Sequence, residues 1–217
     1  MEQRRDDDWA PVMDDTEAVI HLAGTLQPRR PNTYRSANLE TVERLLDATS
    51  SSPVQRIVFL SYVGADPNSD NEYLRTKGEA EEVIRGSGIP SVVVHATFIY
   101  GDSDDIGPSF ASYQTEAGRT VSVLGNGTQR IAPMHVDDLA GVLAAAALNP
   151  TTPAGTFKVS GPEILALDEF VRSINPGGVK IRHLPAPVAR LLAWFTPQLT
   201  PALVDVLLSN SVAVDGP

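Results

Sequence analysis

Apolar residues recur along this chain in two spacings, and the two alternate. Ala18–Leu22 (AVIHL), Ile57–Leu60 (IVFL), Ser91–Val94 (SVVV) and Thr156–Ser160 (TFKVS) are short runs rich in β-branched residues, the pattern of strands buried in a sheet. Elsewhere the apolar positions fall three and four apart, as a helix requires. Leu39, Val42, Leu45 and Leu46 do so within Asn38–Thr49, and three more stretches read the same way: Tyr73 onward to Gly86, an Ala/Leu segment ending near Leu148, and Asp168–Ile174. Glu2–Asp15 is acidic and reads as frayed or loosely helical. Strands alternating with helices predict an α/β chain.

Turn chemistry punctuates this pattern. Gly64, Asp66, Pro67, Asn68 and Asn71 form a loop after the second strand, and Gly86-Ser87-Gly88-Ile89-Pro90 ends the helix that follows. Asn126-Gly127, after the β-branched run at Val121, signals a hairpin or tight turn. Asp102–Pro108 (DSDDIGP) is a polar loop. Val188–Phe195 and Leu203–Leu208 are apolar but interrupted by Pro187, Pro197 and Pro201, and neither reaches the ~20 residues that span a bilayer. Core packing is expected for both, with a surface or partner-binding helix as the alternative.

Chemistry enters at the end of the Ile57–Leu60 strand. Ser61 stands at its tip, and Tyr73 and Lys77, four residues apart, share one face of the next helix. A free phenol, with pKa about 10, exchanges protons poorly at neutral pH. An adjacent ammonium favours the phenolate and brings that value down, while a serine hydroxyl can hydrogen-bond a carbonyl or alcohol oxygen. Ser61, Tyr73 and Lys77 are therefore the candidate catalytic residues.

Here the chain resembles the short-chain dehydrogenase/reductase superfamily, whose Ser and Tyr-x-x-x-Lys occupy this arrangement. Tyr73–Glu81 (YLRTKGEAE) is most similar to the atypical extended branch, related to nucleotide-sugar epimerases and to the NAD(P)H-binding accessory subunit of respiratory NADH:ubiquinone oxidoreductase. Leu199–Val212 resembles the tail of the accessory-subunit branch. The resemblance runs from Ala18 to Val212. It implies a Rossmann-like, doubly wound parallel sheet in residues 1–150 and a small α/β substrate lobe in 151–217. It also implies a NAD or NADP cofactor, hydride transfer with Tyr73 as acid/base, and Lys77 holding the ribose. Leu22, Ala23 and Gly24 match the strand end beside the adenosine half, and Asn38 matches a helix asparagine that supports the site. Ala96 and Thr97, in His95–Gly101 (HATFIYG), match backbone flanking the nicotinamide, although His95 and Ala96 replace the usual Arg and Pro. In Met134–Asp138 the resemblance implies a helix-capping aspartate. At Ala166, where relatives carry a capping Thr, it implies a loosely started helix.

One expected part is missing. A dinucleotide's pyrophosphate needs a glycine-rich turn at a helix N-terminus, yet the sixteen glycines contain no G-x-G-x-x-G, G-x-x-G-x-x-G or Walker A run. Only Met1–Glu17 precedes the first strand, less than the roughly 30 residues of one crossover unit. The sheet is therefore expected to be partial, without its N-terminal strands, exposing an apolar edge on Ala18–Leu22 and binding dinucleotide weakly.

Composition narrows the alternatives. With 217 residues the chain can bury a proper core. A formal charge of −10 and a pI near 4.8 set it against nucleic acid. The chain has no Cys, hence no disulfide or thiolate chemistry, and His21, His95, His135 and His183 lack metal-ligand spacing, so no metal is expected. The charged start lacks a signal-peptide core, and a cytoplasmic location is expected. The functional expectation is an NAD(P)-dependent oxidoreductase or epimerase-like protein with an unknown small-molecule substrate. The alternatives are a non-catalytic nucleotide-binding or assembly subunit, or a chain unable to bind dinucleotide. An oligomer or assembly partner is compatible with either.

Overall fold

A computed structural model describes residues 9–101, 113–193, 195 and 199–213. The acidic start at residues 1–8 and the predicted loop Asp102–Pro108 lie outside the described residues.

Four strands build the main sheet: β1 (Ala18–His21), β2 (Arg56–Tyr62), β3 (Ser91–Ala96) and β8 (Gly155–Val159), all parallel, in the order β1-β2-β3-β8. Side chains alternate across a strand, so each central strand feeds two cores. Ile57, Phe59 and Val93 pack under a layer made by α1 (Ala10–Met13), α2 (Glu40–Thr49) and α3 (Glu72–Gly86). Val58, Val92, Val94 and Ala96 pack under α4 (Val136–Leu148) through Leu139, Leu143 and Ala146. Burial on both faces explains the unbroken apolar runs, and each fully buried Ile, Val or Phe contributes roughly 1.5–3 kcal/mol. This doubly wound, partial parallel sheet is the predicted α/β class. As expected, β1 has a strand neighbour on one side only among the described residues, and Ile20 stays 38% exposed.

Two local devices aim the helices at the sheet's carboxyl end. Asn71 caps α3, its Oδ1 accepting from the N–H groups of Tyr73 (3.1 Å) and Leu74 (3.2 Å). Gly78 lets α3 lie against the preceding loop, because a Cβ there would meet Pro67 N at 2.3 Å. Before α2 runs a π-helical turn, Arg35–Leu39, which turns Asn38 inward and buries it completely. Wider turns of this kind favour functional positions.

The rest of the chain forms short pairings around a third core containing Phe98, Val123, Phe170 and Val171. β4 (Ile99–Tyr100) pairs with β7 (Met134–His135), and β6 (Arg130–Ile131) pairs with β9 (Leu165–Ala166). β5 (Thr120–Leu124) pairs in parallel with β10 (Lys180–Leu184). Asn126-Gly127 does make a tight turn, with Gly125 and Gly127 at φ 79° and 74°. It does not make a hairpin, since β5 and β6 choose different partners. Gly155–Val159, expected in the small lobe, instead extends the main sheet beside β3. The cap of α4 is His135, whose Nδ1 accepts from Asp137 N (3.3 Å), in place of the expected aspartate. Glu169 accepts from Ala166 N (2.9 Å), securing the start of α5 (Leu167–Ser173) despite the missing Thr. In α7 (Pro201–Leu208), Leu203, Val204 and Val206 are buried as expected. The face of α6 (Ala186–Ala193) that carries Leu191 is exposed. Among the described residues no helix is long and apolar enough to cross a membrane.

Candidate functional site

At the carboxyl ends of β1 and β2 lies a cleft of about 170 Å³, where parallel sheets place ligands. Ser61, Tyr73 and Lys77 all line it, as do Leu22, Gly24 and Ala96. Ala23 and Thr97 do not. Thr97 is buried behind the wall, its hydroxyl donating to Ala132 O (2.5 Å). Asn38 also lines the cleft. Its Oδ1 accepts from Thr25 N (2.8 Å), and its Nδ2 donates to Thr25 O (3.3 Å) and Thr76 Oγ1 (3.2 Å), clamping the strand-end loop to α3. A Cβ on Gly24 would stand 2.9 Å from Asn38 Oδ1 and 3.8 Å from Lys77 Nζ, so glycine keeps this approach open. Tyr62 and Leu26, on the far wall, carried no sequence signal: one is a strand-end residue and the other lies in an irregular segment.

Helix spacing brings Tyr73 and Lys77 together, but burial governs their ionisation. The Lys77 ammonium donates to Leu60 O (2.6 Å) and sits 4.1 Å from the Phe59 ring centre. Burial takes its pKa from 10.5 down to about 7, opposed only in part by Glu81. The ring of Tyr73 is enclosed by Tyr34 (6.1 Å) and Tyr62 (5.8 Å) with Val206 against it. Burial, then the charges of Tyr62 and Tyr34, push its phenol far above the ordinary range. The expected lowering by Lys77 is therefore absent from the protein alone, because an amine that has shed much of its charge stabilises no phenolate. Next door, burial and then Lys77 bring His21 down to about 4; its ring stacks on Phe59 at 5.7 Å.

Ser61 enters a network with no sequence signal of its own. Its hydroxyl donates to Glu81 Oε1, which also receives His95 Nε2 (2.8 Å), while Arg85 Nη2 reaches Glu81 Oε2 at 2.6 Å. His95, where relatives carry Arg, is half-buried, and its ring is held by Glu81. Among the described residues no three His, Asp or Glu side chains gather as a metal site would need.

Residues 2–159 match the model of the NAD dependent epimerase/dehydratase family. The chain belongs to this family. It is 26% identical over 174 residues to the NADH-ubiquinone oxidoreductase 40 kDa subunit, mitochondrial, of Neurospora crassa, covering 79% of this chain and 45% of that one. It is also 26% identical to the NADH dehydrogenase [ubiquinone] 1 alpha subcomplex subunit 9, mitochondrial, of Arabidopsis thaliana, covering 88% of this chain and 48% of the relative. The chain thus spans about half the length of the curated relatives it matches. Among solved structures, UDP-glucuronic acid 4-epimerase from Bacillus cereus in complex with UDP-glucuronic acid and NAD is similar at a TM-score of 0.64 and 16% identity. That likeness covers 94% of this chain and 77% of the epimerase, and it shows the fold alone. The cytoplasmic expectation is corrected by these comparisons, since the named respiratory relatives are mitochondrial proteins.

The family is named for NAD, and the cleft has room for part of that cofactor. Ligand pockets usually enclose roughly 300–1,000 Å³, so this one suits a ring and sugar rather than a whole dinucleotide. Gly24 admits close approach and Lys77 supplies a polar atom, while the Asn38 amide is taken up by Thr25 and Thr76. No glycine-rich pyrophosphate turn exists in the sequence.

Proposed function

We propose that this chain binds the nicotinamide and ribose end of NAD or NADP in the β1–β2 cleft, with Ser61, Tyr73 and Lys77 on its reacting side. The observation that carries this reading is the convergence of those three side chains with Gly24 and Ala96 on one cleft at the end of a parallel sheet. Bound there, the nicotinamide would supply or accept a hydride. Lys77 would hold the ribose hydroxyls, Tyr73 would keep or pass the proton of the substrate oxygen, and Ser61 would face that oxygen. Residues 1–150 carry most of the cofactor side in this reading, and 151–217 most of the substrate lobe.

A second reading is a non-catalytic nucleotide-binding or assembly subunit. It is favoured by the enclosed Tyr73 ring, whose phenol burial holds protonated, and by the respiratory-subunit names of two relatives. Titration with NADH and NADPH, followed by nicotinamide fluorescence, tests the cofactor site. Saturable binding is expected, and no saturation at millimolar cofactor would refute the enzyme reading and leave the assembly subunit. Tyr73→Phe then separates them: loss of turnover with binding intact supports acid/base chemistry, whereas unchanged turnover removes Tyr73 from the mechanism.

A further inference from the structure

Glu81 lies one helical turn beyond Lys77 on α3 and is 2% exposed. Its partners come from two strands and its own helix. Ser61 and His95 are register neighbours on β2 and β3, so their side chains rise together on the sheet face that α3 covers, and both reach Glu81 Oε1. Arg85 takes the other oxygen at 2.6 Å. A carboxylate accepts hydrogen bonds and donates none, whereas a serine hydroxyl has one proton and two lone pairs. Once that proton points at Glu81, what Ser61 presents to the cleft is an acceptor.

We propose, on the reading of the cleft given above, that Glu81 is a positioning residue that sets the site to hold an alcohol in preference to a carbonyl. An alcohol oxygen satisfies both sides of the cleft: its proton goes to Ser61 Oγ, and its lone pairs can receive the Tyr73 hydroxyl. A ketone oxygen can receive the same tyrosine, but it meets Ser61 lone pair against lone pair and leaves an acceptor unanswered.

Ligand-observed NMR on the full chain, without added cofactor, can compare cyclohexanol with cyclohexanone. Wild type should bind the alcohol about five- to tenfold more tightly, the value of one hydrogen bond. Ser61→Ala should bring the ratio to about one, because the acceptor is gone. Glu81→Gln, which turns one acceptor oxygen into a donor group, should free the serine proton and level or reverse the preference. Equal or tighter ketone binding by wild type, no binding of either probe, or a preference that survives Ser61→Ala would each overturn the proposal. Should Glu81→Gln lose its circular-dichroism signature of folding, wild type against Ser61→Ala still decides. Failure to bind NADH in the separate titration counts against the cofactor reading, whereas equal probe affinities count against the alcohol preference alone.

Discussion

Lys77 is an amine whose burial works against the stability of the fold. Its side chain is 5% exposed and burial brings its pKa from 10.5 to about 7. Between those values the unfolded chain keeps the proton and the folded chain does not, so stability rises with pH through that window and is flat below it. At about 1.4 kcal/mol per pH unit, roughly 5 kcal/mol present at high pH is lost by about pH 7. Lys77→Met keeps the stem's bulk and abolishes the titration. Against that gain stands the hydrogen bond to Leu60 O and the Phe59 contact, together about 1–3 kcal/mol. The variant should therefore be about 2–4 kcal/mol more stable than wild type near pH 7, the margin crossing zero between about pH 8 and about pH 10 and turning in favour of wild type above that. Urea denaturation at several pH values reads both quantities. Wild-type and variant curves that run parallel from about pH 7 to about pH 10 would refute the reasoning, since the titrating group would then not be Lys77. The same variant should lose NADH binding, so that the residue that weakens the fold is the one the cofactor needs.

His21 should act at the acid end. Its folded pKa of about 4 lies below the ordinary 6.5, so its contribution is present above 6.5 and lost as pH falls through about 4, by about 3 kcal/mol in all; His21→Phe should lack that loss in acid denaturation. Gly78→Ala should destabilise by about 2–4 kcal/mol in thermal unfolding, reversing the helix-propensity gain of about 1 kcal/mol, because the new Cβ meets Pro67 N at 2.3 Å and Asp66 C at 2.4 Å.

The parts of the site that were legible are those fixed by local spacing. Tyr73 and Lys77 could be paired from a four-residue interval because α3 is capped at Asn71 and unbroken to Gly86. The two-faced burial of Ile57–Leu60 could be read because a central parallel strand leaves no polar face. What stayed hidden depends on which elements meet. Asn126-Gly127 signalled a turn, but the partners of β5 and β6 come from residues 180–184 and 165–166, beyond any local signal. Glu81 meets Ser61 twenty residues back and His95 fourteen residues on. Only the His in place of Arg at 95 hinted that this corner was wired differently.

The open side of β1 bears on function through the same loop that forms the cleft. Leu22, the residue after β1, is 59% exposed and also lines the cleft, so one wall of the site continues a strand that is paired on one side only among the described residues. A wall of that kind gains no rigidity from a second ladder. What holds the following loop is Asn38, whose amide binds both the N–H and the C=O of Thr25 and reaches Thr76 on α3. The inward aim of that asparagine depends in turn on the π-helical turn before α2. Whatever affinity the cleft has for a flat ring thus rests on an interaction between α2's entry and α3, two helices on one face of the sheet. Strand pairing, which β1 has on one side only among the described residues, contributes little at this position.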